Sequence, residues 1–286
     1  MIGITCANGQ LGQLVIGLLK EKIPAEEIVA FMRDPSKAEG LGLGVEVRPF
    51  DYDAPEEELH EILEDIDKLL MISGSEIGRR ELQHRNVLLA AEKAGVSHLV
   101  YTSLLHADRS PLKLAQEHIA TEMMLTEVQL PFTILRNGWY AENYIDTAKS
   151  ALAAGALYGA AGEGQISAAS RADYAKAAVE VLTSDGHEGK TYELSGDKAF
   201  SLSDLAAQIS QISGQDIPYQ NMAEADYAAA LANSGLPSPW PEFLAQMDAQ
   251  ISEGALYDEG QILSDLIGQP TTPIAEVLSG PLTEAA

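Results

Sequence analysis

The 286-residue sequence predicts an α/β fold built on a doubly wound parallel sheet, and three observations carry that prediction. Short apolar runs alternate with stretches of helical periodicity, and parallel neighbours require such crossovers, which are right-handed. The runs are continuously apolar instead of alternating, as strands covered on both faces are. A glycine-bearing turn, Cys6 to Gly12, parts the first run from the first helix.

Met1 to Thr5 reads as the first strand, Cys6 to Gly9 as a turn, and Leu11, Leu14, Val15, Leu18 and Leu19 as one helical face. Pro24 interrupts; Ile28 to Met32 is the second strand, and Val45 to Phe50 the third, after the glycine-rich Gly40 to Gly44. Asp53-Ala-Pro-Glu opens a helix with Pro55 near N1 and Glu56, Glu57 and Glu58 in its first turn, where the helix dipole favours them. Its apolar face is Leu59, Ile62, Leu63 and Ile66. Lys68 to Ser73 is the fourth strand, Arg80 to Ala94 a helix stopped by Gly95, and His98 to Ser103 the fifth strand. Lys113 to Val128 follows as a helix and Pro131 to Arg136 as the sixth strand.

After Asn137 the rhythm loosens into the Ala-rich Ala148 to Ala161, with Gly155, Gly159, Gly162 and Gly164, and a second lobe is expected. Arg171 to Thr183 is a helix and Thr191 to Ser195 a strand that rejoins the main sheet. The predicted organisation is therefore a core over residues 1–137 and a lobe mainly over 138–286, with about 165–200 returning to the core. Ser201-Leu-Ser-Asp204 supplies an N-cap. Further amphipathic helices are separated by Gly235 to Pro241, Gly254, and Gly268 to Pro273, and Gly280 to Ala286 is expected to fray.

The formal charge of -25, from 43 acidic against 18 basic residues, opposes binding to nucleic acid or to an anionic membrane. It reads as a solubility or salty-habitat feature, and it makes the few basic residues informative, because an anionic ligand needs local compensation. Cys6 is the single cysteine, so no intrachain disulfide forms and a reducing, cytoplasmic setting is the simplest. The opening MIGITCANGQLG lacks the features of a signal peptide, and no apolar run approaches the roughly 18 residues of a membrane span.

The stretch Ile4 to Gly12 lies between strand and helix, where helix N–H groups meet a dinucleotide pyrophosphate in a Rossmann-type fold. Gly9 would let the backbone approach the phosphates and Gly12 would let the helix pack on the strand. Arg33 ends the second strand, 21 positions after Gly12, where an acidic residue suits the NAD ribose and a basic one the NADP 2′-phosphate. Its planar fork favours NADP, with Lys37 adding charge; the alternative is a surface arginine paired with Asp34. Asp51 and Tyr52 end the third strand and Ser73, Gly74 and Ser75 the fourth, beside the crevice where such a cofactor runs.

The segments ITCANGQLG, MRDPSKAEGL, YTSLLHADRSPLKLAQEHIATE, ILRNGWYAENY, SRADYAKAA and TYELSGDKAFSLSDLA resemble the NmrA-like subgroup of atypical short-chain dehydrogenase/reductases. Within it they are most similar to the bacterial NAD(P)H:quinone oxidoreductase branch, from Met1 to about Thr272. The resemblance implies a Rossmann domain with a smaller C-terminal lobe, NADPH as cofactor with NADH weaker, and hydride transfer to a small-molecule quinone. It places cofactor contacts on Cys6, Ala7, Asn8, Gly9, Gln10, Leu11 and Gly12, on Arg33, Asp51 and Tyr52, and on Ser73, Gly74 and Ser75. It extends them to Asn137, Gly138, Trp139, Tyr140 and Glu142, and to Arg171 and Asp173.

Two departures matter. Cys6 stands where the family's loop begins with glycine, and Asn8 where threonine is usual. A positive φ at Cys6 would strain it by about 1 to 2 kcal/mol, whereas a negative φ would tolerate it with its side chain near the phosphates. A reactive thiol beside the helix opening is a further alternative. The superfamily's Tyr-x-x-x-Lys pair is also missing: with Glu122 as the anchor, Leu114 falls at the tyrosine position and His118 at the lysine position. A carbinol dehydrogenase needs that acid, whereas a quinone gives a phenolate that solvent protonates, so the gap favours a quinone.

His118 and His106 are catalytic candidates, each with a structural reading beside it. Trp139, Tyr140 and Tyr144 read either as an aromatic wall for the quinone or as core, and Asn143 either as a hydrogen-bond donor to a quinone carbonyl or as a helix cap. His60, His84, His98, His106, His118 and His187 show no metal-binding spacing, and Ser103 lacks the elbow of a serine hydrolase. The rival function is an NADP(H)-loaded regulatory sensor without turnover, and a homodimer is left open.

Overall fold

The computed structural model describes residues 1–283. In chain order the first elements are β1 (Ile2–Ile4), α1 (Gln10–Leu19), β2 (Ile28–Met32), β3 (Glu46–Pro49), α2 (Glu56–Leu63), β4 (Lys68–Met71), α3 (Arg80–Ala94) and β5 (His98–Leu104). Then come α4 (Lys113–Glu127), β6 (Phe132–Asn137), α5 (Tyr144–Ala154), β7 (Leu157–Gly159), α6 (Arg171–Thr183) and β8 (Thr191–Leu194). The chain continues as α7 (Leu202–Ser213), β9 (Tyr219–Asn221), α8 (Glu224–Asn233), α9 (Trp240–Ser252), α10 (Ile262–Ile267) and α11 (Ile274–Thr283). Two compact units result: Met1–Arg109, Lys113–Asn137 and Arg171–Leu194 form the first; Ser110–Leu112, Gly138–Ser170 and the residues from Ser195 on form the second.

The first unit is a seven-stranded sheet in the order β3-β2-β1-β4-β5-β6-β8, parallel throughout. This is a Rossmann-type doubly wound order, and it reverses between β1 and β4, the place where open sheets of this kind part their loops. Every residue of β2 and β5 is buried. Beneath the sheet, Phe31, Leu59, Leu69, Val87, Tyr101 and Leu125 share one core. Helix α6 lies on α1, tied by Lys22 to Glu180 at 2.9 Å, and Lys68 Nζ caps its end by donating to Leu182 O at 2.8 Å.

Strand four is shorter than the apolar run. The amides of Ile72 and Ser73 donate to the hydroxyls of Thr5 and Thr102, both at 2.9 Å, and so leave the ladder after Met71. Pro55 stands at the N-cap of α2, one position before the expected N1. Gly95 ends α3 with φ +75, as its glycine predicts. Polar side chains within β5 find partners inside the fold: Thr102 accepts the Ser73 amide, Ser103 donates to Glu122 and His98 Nε2 meets Thr133. Thr133 Oγ1 donates to His187 O at 2.6 Å, so the 2.8 Å contact from His98 Nε2 is a donation to that hydroxyl. Burial holds the His98 pKa below the ordinary value.

The second unit carries β7 and β9 as a two-stranded parallel sheet that the periodicity does not announce. Ser201 and Asp204 cap α7 reciprocally: the Ser201 hydroxyl accepts the Asp204 amide and the Asp204 carboxylate accepts the Ser201 amide. Helix α11 runs through Gly280 and Pro281 to Thr283, anchored by buried Leu278 and Leu282. The expected fraying is thereby corrected for Gly280 to Thr283, and the rest of it, at 284–286, lies outside the described residues. No described helix is long and apolar enough to cross a membrane.

Asp248 of α9 is 8% exposed and accepts one amide, that of Ala160, at 2.8 Å. Burial pushes its carboxyl from 3.8 up to about 6. The folded state thus favours the neutral acid: this contribution is complete below pH 3.8 and is lost as pH rises through 6. Ionised above that, the group costs about 3 kcal/mol. Asp248→Asn keeps an acceptor for Ala160 and removes the charge, so unfolding at pH 7.5 is expected to show stabilisation of about 1–3 kcal/mol, falling to about a third of that at pH 4.5. Equal effects at both pH values would exclude the charge as the cause.

Candidate functional site

The opening of α1 is set by its closeness to the turn that follows β1. A Cβ at Gly12 would lie 2.8 Å from both Ala7 Cα and Cys6 O, backbone atoms that cannot yield. The helix therefore starts at the carboxyl edge of the central strand. Its N-cap, Gly9, has no side-chain bond, and its ladder begins with the Gln13 amide on Gly9 O at 3.0 Å. The amides of Gln10, Leu11 and Gly12 have no intrahelical acceptor and emerge at the positive end of the helix dipole. Asn8, Gly9 and Gln10 form an exposed rim there, with Gln13 Nε2 holding Asn8 O at 2.8 Å.

Cys6 has φ +49, the left-handed alternative, at a cost of about 1–2 kcal/mol for a side chain in place of glycine. Its thiol sulfur is 3.7 Å from Tyr52 Oη and 3.7 Å from Ile72 O. Tyr52 Oη in turn lies 2.5 Å from Thr5 Oγ1 and 2.8 Å from Ile72 O. Burial pushes the thiol up, which outweighs the smaller opposing pulls of Tyr52 and Arg33 and runs against the reactive-thiol alternative. The ring of Tyr52, expected beside an adenosine, is 6% exposed and belongs to the core, and its carbonyl accepts Asn86 Nδ2 at 3.0 Å.

Arg33 follows β2 at the same edge, and its partner is not Asp34. Its NH2 group is 2.6 Å from Glu76 Oε1 and its Nε is 3.4 Å from Asp51 Oδ1. Asp34 instead caps its own turn through Ser36, with Lys37 at 4.0 Å. Ser75 is exposed, whereas Gly74 is pinned: its amide donates to His84 Nε2 at 3.0 Å and its carbonyl accepts Arg80 Nε.

That bond fixes the state of His84. Nε2 is an acceptor, so Nδ1–H donates to Thr121 Oγ1 at 2.8 Å, and Thr121 donates to Glu117 O at 3.0 Å. Burial, with the charge of Arg80 adding to it, lowers its pKa to about 3. His118 Nδ1 is 2.8 Å from Tyr101 Oη, and burial takes this ring to about 3 as well. His118 is 4% exposed, so the candidate acid or ribose contact is corrected to a neutral core group. Rings touch in sequence from Tyr52 through His84 and Tyr101 to His118, with centroids 6.0, 5.6 and 6.1 Å apart.

At the ends of β5 and β6, His106 has φ +54, held by its amide donating to Glu193 Oε2 at 2.8 Å. Arg136 joins Glu122 at 2.6 Å and Glu193 at 2.7 Å, and Ser103 donates to Glu122 at 2.6 Å. Asn137 is 4% exposed and its buried Oδ1 has no hydrogen-bond partner among the described residues. Asp173, fully buried near the start of α6, meets Lys176 at 3.0 Å, while Arg171 is half-buried. In the second unit, residues 139–141 bridge Ala169, Trp139 and Tyr140 are half-buried, and Asn143 is exposed. Tyr144 packs edge-on against Phe200 at 5.4 Å and is buried, which is the core reading of that residue. Among the described residues no group of His, Cys, Asp or Glu is placed to hold a metal. Sequence reasoning missed Glu76, Arg79 and Glu193, whose partners Arg33, Asp53 and Arg136 lie 43, 26 and 57 positions away.

A family model described as NAD(P)H-binding matches residues 6–185. The chain is 52% identical over 280 residues to quinone oxidoreductase 2 of Escherichia coli strain K12, covering 98% of each. A crystal structure of the E. coli NADPH-dependent quinone oxidoreductase complexed with NADPH superposes with a TM-score of 0.94, at 52% identity over 98% of this chain and 99% of that one. The Citrobacter sp. triphenylmethane reductase complexed with NADP(H) gives 0.91 at 36% identity, over 98% of this chain and 100% of the other.

Two outcomes follow from the buried groups. His84 and His118 have pKa values depressed from 6.5 to about 3, so their contribution is full above pH 6.5 and is lost as pH falls toward 3. Urea unfolding is expected to find the protein about 2 kcal/mol less stable at pH 5.5 than at 6.5, and His118→Gln to halve that difference. Cys6 is expected to react with a disulfide reagent at pH 7.5 at least tenfold more slowly than free cysteine (roughly, from its raised pKa and burial), and faster labelling would contradict the placement of its thiol.

Proposed function

Because this chain belongs to the NmrA-like quinone oxidoreductase family of NAD(P)H-binding proteins, we propose that it reduces quinones by hydride transfer with NADPH as the preferred donor. The observation that carries the reading is the pairing, on the ends of adjacent strands β1 and β2, of an uncapped helix opening with an exposed guanidinium. The first suits a pyrophosphate and the second a 2′-phosphate.

The residues fit that cofactor. Gly9 and Gly12 leave the backbone open, and the amides of Gln10, Leu11 and Gly12 would hold the pyrophosphate. Arg33 would take the 2′-phosphate, Asp51 and Ser73 to Ser75 would flank the adenosine and ribose, and Asn137 Oδ1 would accept from a hydroxyl or amide of the nicotinamide half. When bound, the reduced nicotinamide supplies the hydride. The phenolate so formed takes its proton from solvent, in keeping with Leu114 where a phenolic acid would stand. On the second unit we assign Tyr140 and the exposed Asn143 to the quinone. A reducing, cytoplasmic setting suits a chain whose single thiol is turned toward its core.

Purified protein is expected to oxidise NADPH with small benzoquinones and naphthoquinones. Arg33→Ala is expected to raise KM for NADPH by about ten- to a hundredfold while that for NADH moves less than about threefold. No turnover across a quinone panel would sink the enzyme reading. Tight NADPH binding in the same preparation would then favour the regulatory sensor.

A further inference from the structure

The ion pairs around Arg33 form a small exchange system. Glu76 spans two guanidinia: Oε1 sits 2.6 Å from Arg33, and Oε2 sits 3.3 Å from Arg79 and 3.2 Å from Gln83 Nε2. Arg79 also meets Asp53 at 2.9 Å, and Asp51 reaches Arg33 at 3.4 Å. The cluster thus holds three carboxylates against two arginines, with one negative charge in excess. A phosphate arriving at Arg33 meets a carboxylate already in place.

We infer that Glu76 is a specificity-determining competitor for the 2′-phosphate, passed from Arg33 to Arg79 when the phosphate binds. The inference rests on the assignment of Arg33 to that phosphate. An exposed carboxylate–guanidinium pair is weak, whereas a phosphate dianion brings twice the charge and two acceptors for the fork, so the exchange runs toward the phosphate. Glu76 is not stranded when it lets go, because Arg79 and Gln83 already hold its other oxygen. NADH carries a hydroxyl at that position and leaves the Arg33–Glu76 pair intact. Glu76 therefore opposes NADPH alone and narrows the preference that Arg33 creates.

Calorimetric titration with NADPH, NADH, adenosine 2′,5′-bisphosphate and ADP tests this without reference to turnover. Glu76→Gln is expected to tighten NADPH and the bisphosphate by about three- to tenfold and to leave NADH and ADP within about twofold. Arg79→Ala is expected to weaken NADPH in the native background, where displaced Glu76 then has no second arginine, and to have no effect beside Glu76→Gln. Unchanged or weaker NADPH binding by Glu76→Gln would overturn the inference, as would an equal loss from Arg79→Ala in both backgrounds, which would make Arg79 a direct phosphate ligand. Arg33→Ala separates the two levels. If it leaves the NADPH-to-NADH ratio intact, the phosphate assignment falls and this inference with it; if it collapses the ratio while Glu76→Gln is inert, this inference alone is overturned.

Discussion

Between Gly12 and the turn that follows β1 there is no space for even a methyl group, and the rest of the site is arranged around that contact. Because the obstructing atoms are backbone atoms of Ala7 and Cys6, relief would require moving the helix and not merely turning a side chain. Held this close, α1 presents its free amides at the carboxyl edge of β1, the strand that stands beside the reversal of sheet order. Arg33 reaches the same edge because β2 is the parallel neighbour of β1. The strained backbone of Cys6 belongs to the same turn: the chain must double back there whether or not glycine is available.

Positive charge is scarce, and most of what lies near this edge is already engaged. Arg33, Arg79, Arg80 and Arg136 each face at least one carboxylate. An anion arriving at this edge would meet dipoles fixed in the backbone and guanidinia already paired with carboxylates, and the molecule's overall charge works against it. Under the sheet the opposite policy holds. His84 and His118 are kept neutral by burial, and each spends its ring nitrogens on neighbours, His84 on the Gly74 amide and His118 on Tyr101. The loop after β4 is thus tied at Gly74 by a neutral imidazole on its amide and by the buried Arg80 guanidinium on its carbonyl.

The parts of the fold that were legible are those decided locally or by burial on both faces. β2 is an apolar run because it is buried on both faces, and α3 ends where Gly95 permits a left-handed turn. The fourth strand was read too long because its last amides turn to Thr5 and Thr102, partners 67 and 29 residues away. β7 and β9 are three residues each, too short to show a period. In the site, the glycines and Arg33 announced themselves by position, while orientation stayed hidden. Tyr52 and His118 carry the same letters whether they face a ligand or the core. The natural guess for the partner of Arg33 was its neighbour Asp34, yet Glu76 is 43 positions on.

The sheet closes with β8, whose partner β6 ended at Asn137, and between them the chain builds part of the second unit before Arg171 brings it back. Pairing these two strands fastens a loop of more than fifty residues, a closure whose entropy must be met before any ladder bond rewards it. During synthesis, β1 to β6 emerge from the ribosome as a sheet with one unpaired flank on β6, open to strands of other nascent chains. The arrangement therefore ties the speed of folding, and the escape from aggregation, to the arrival of four residues, Thr191 to Leu194.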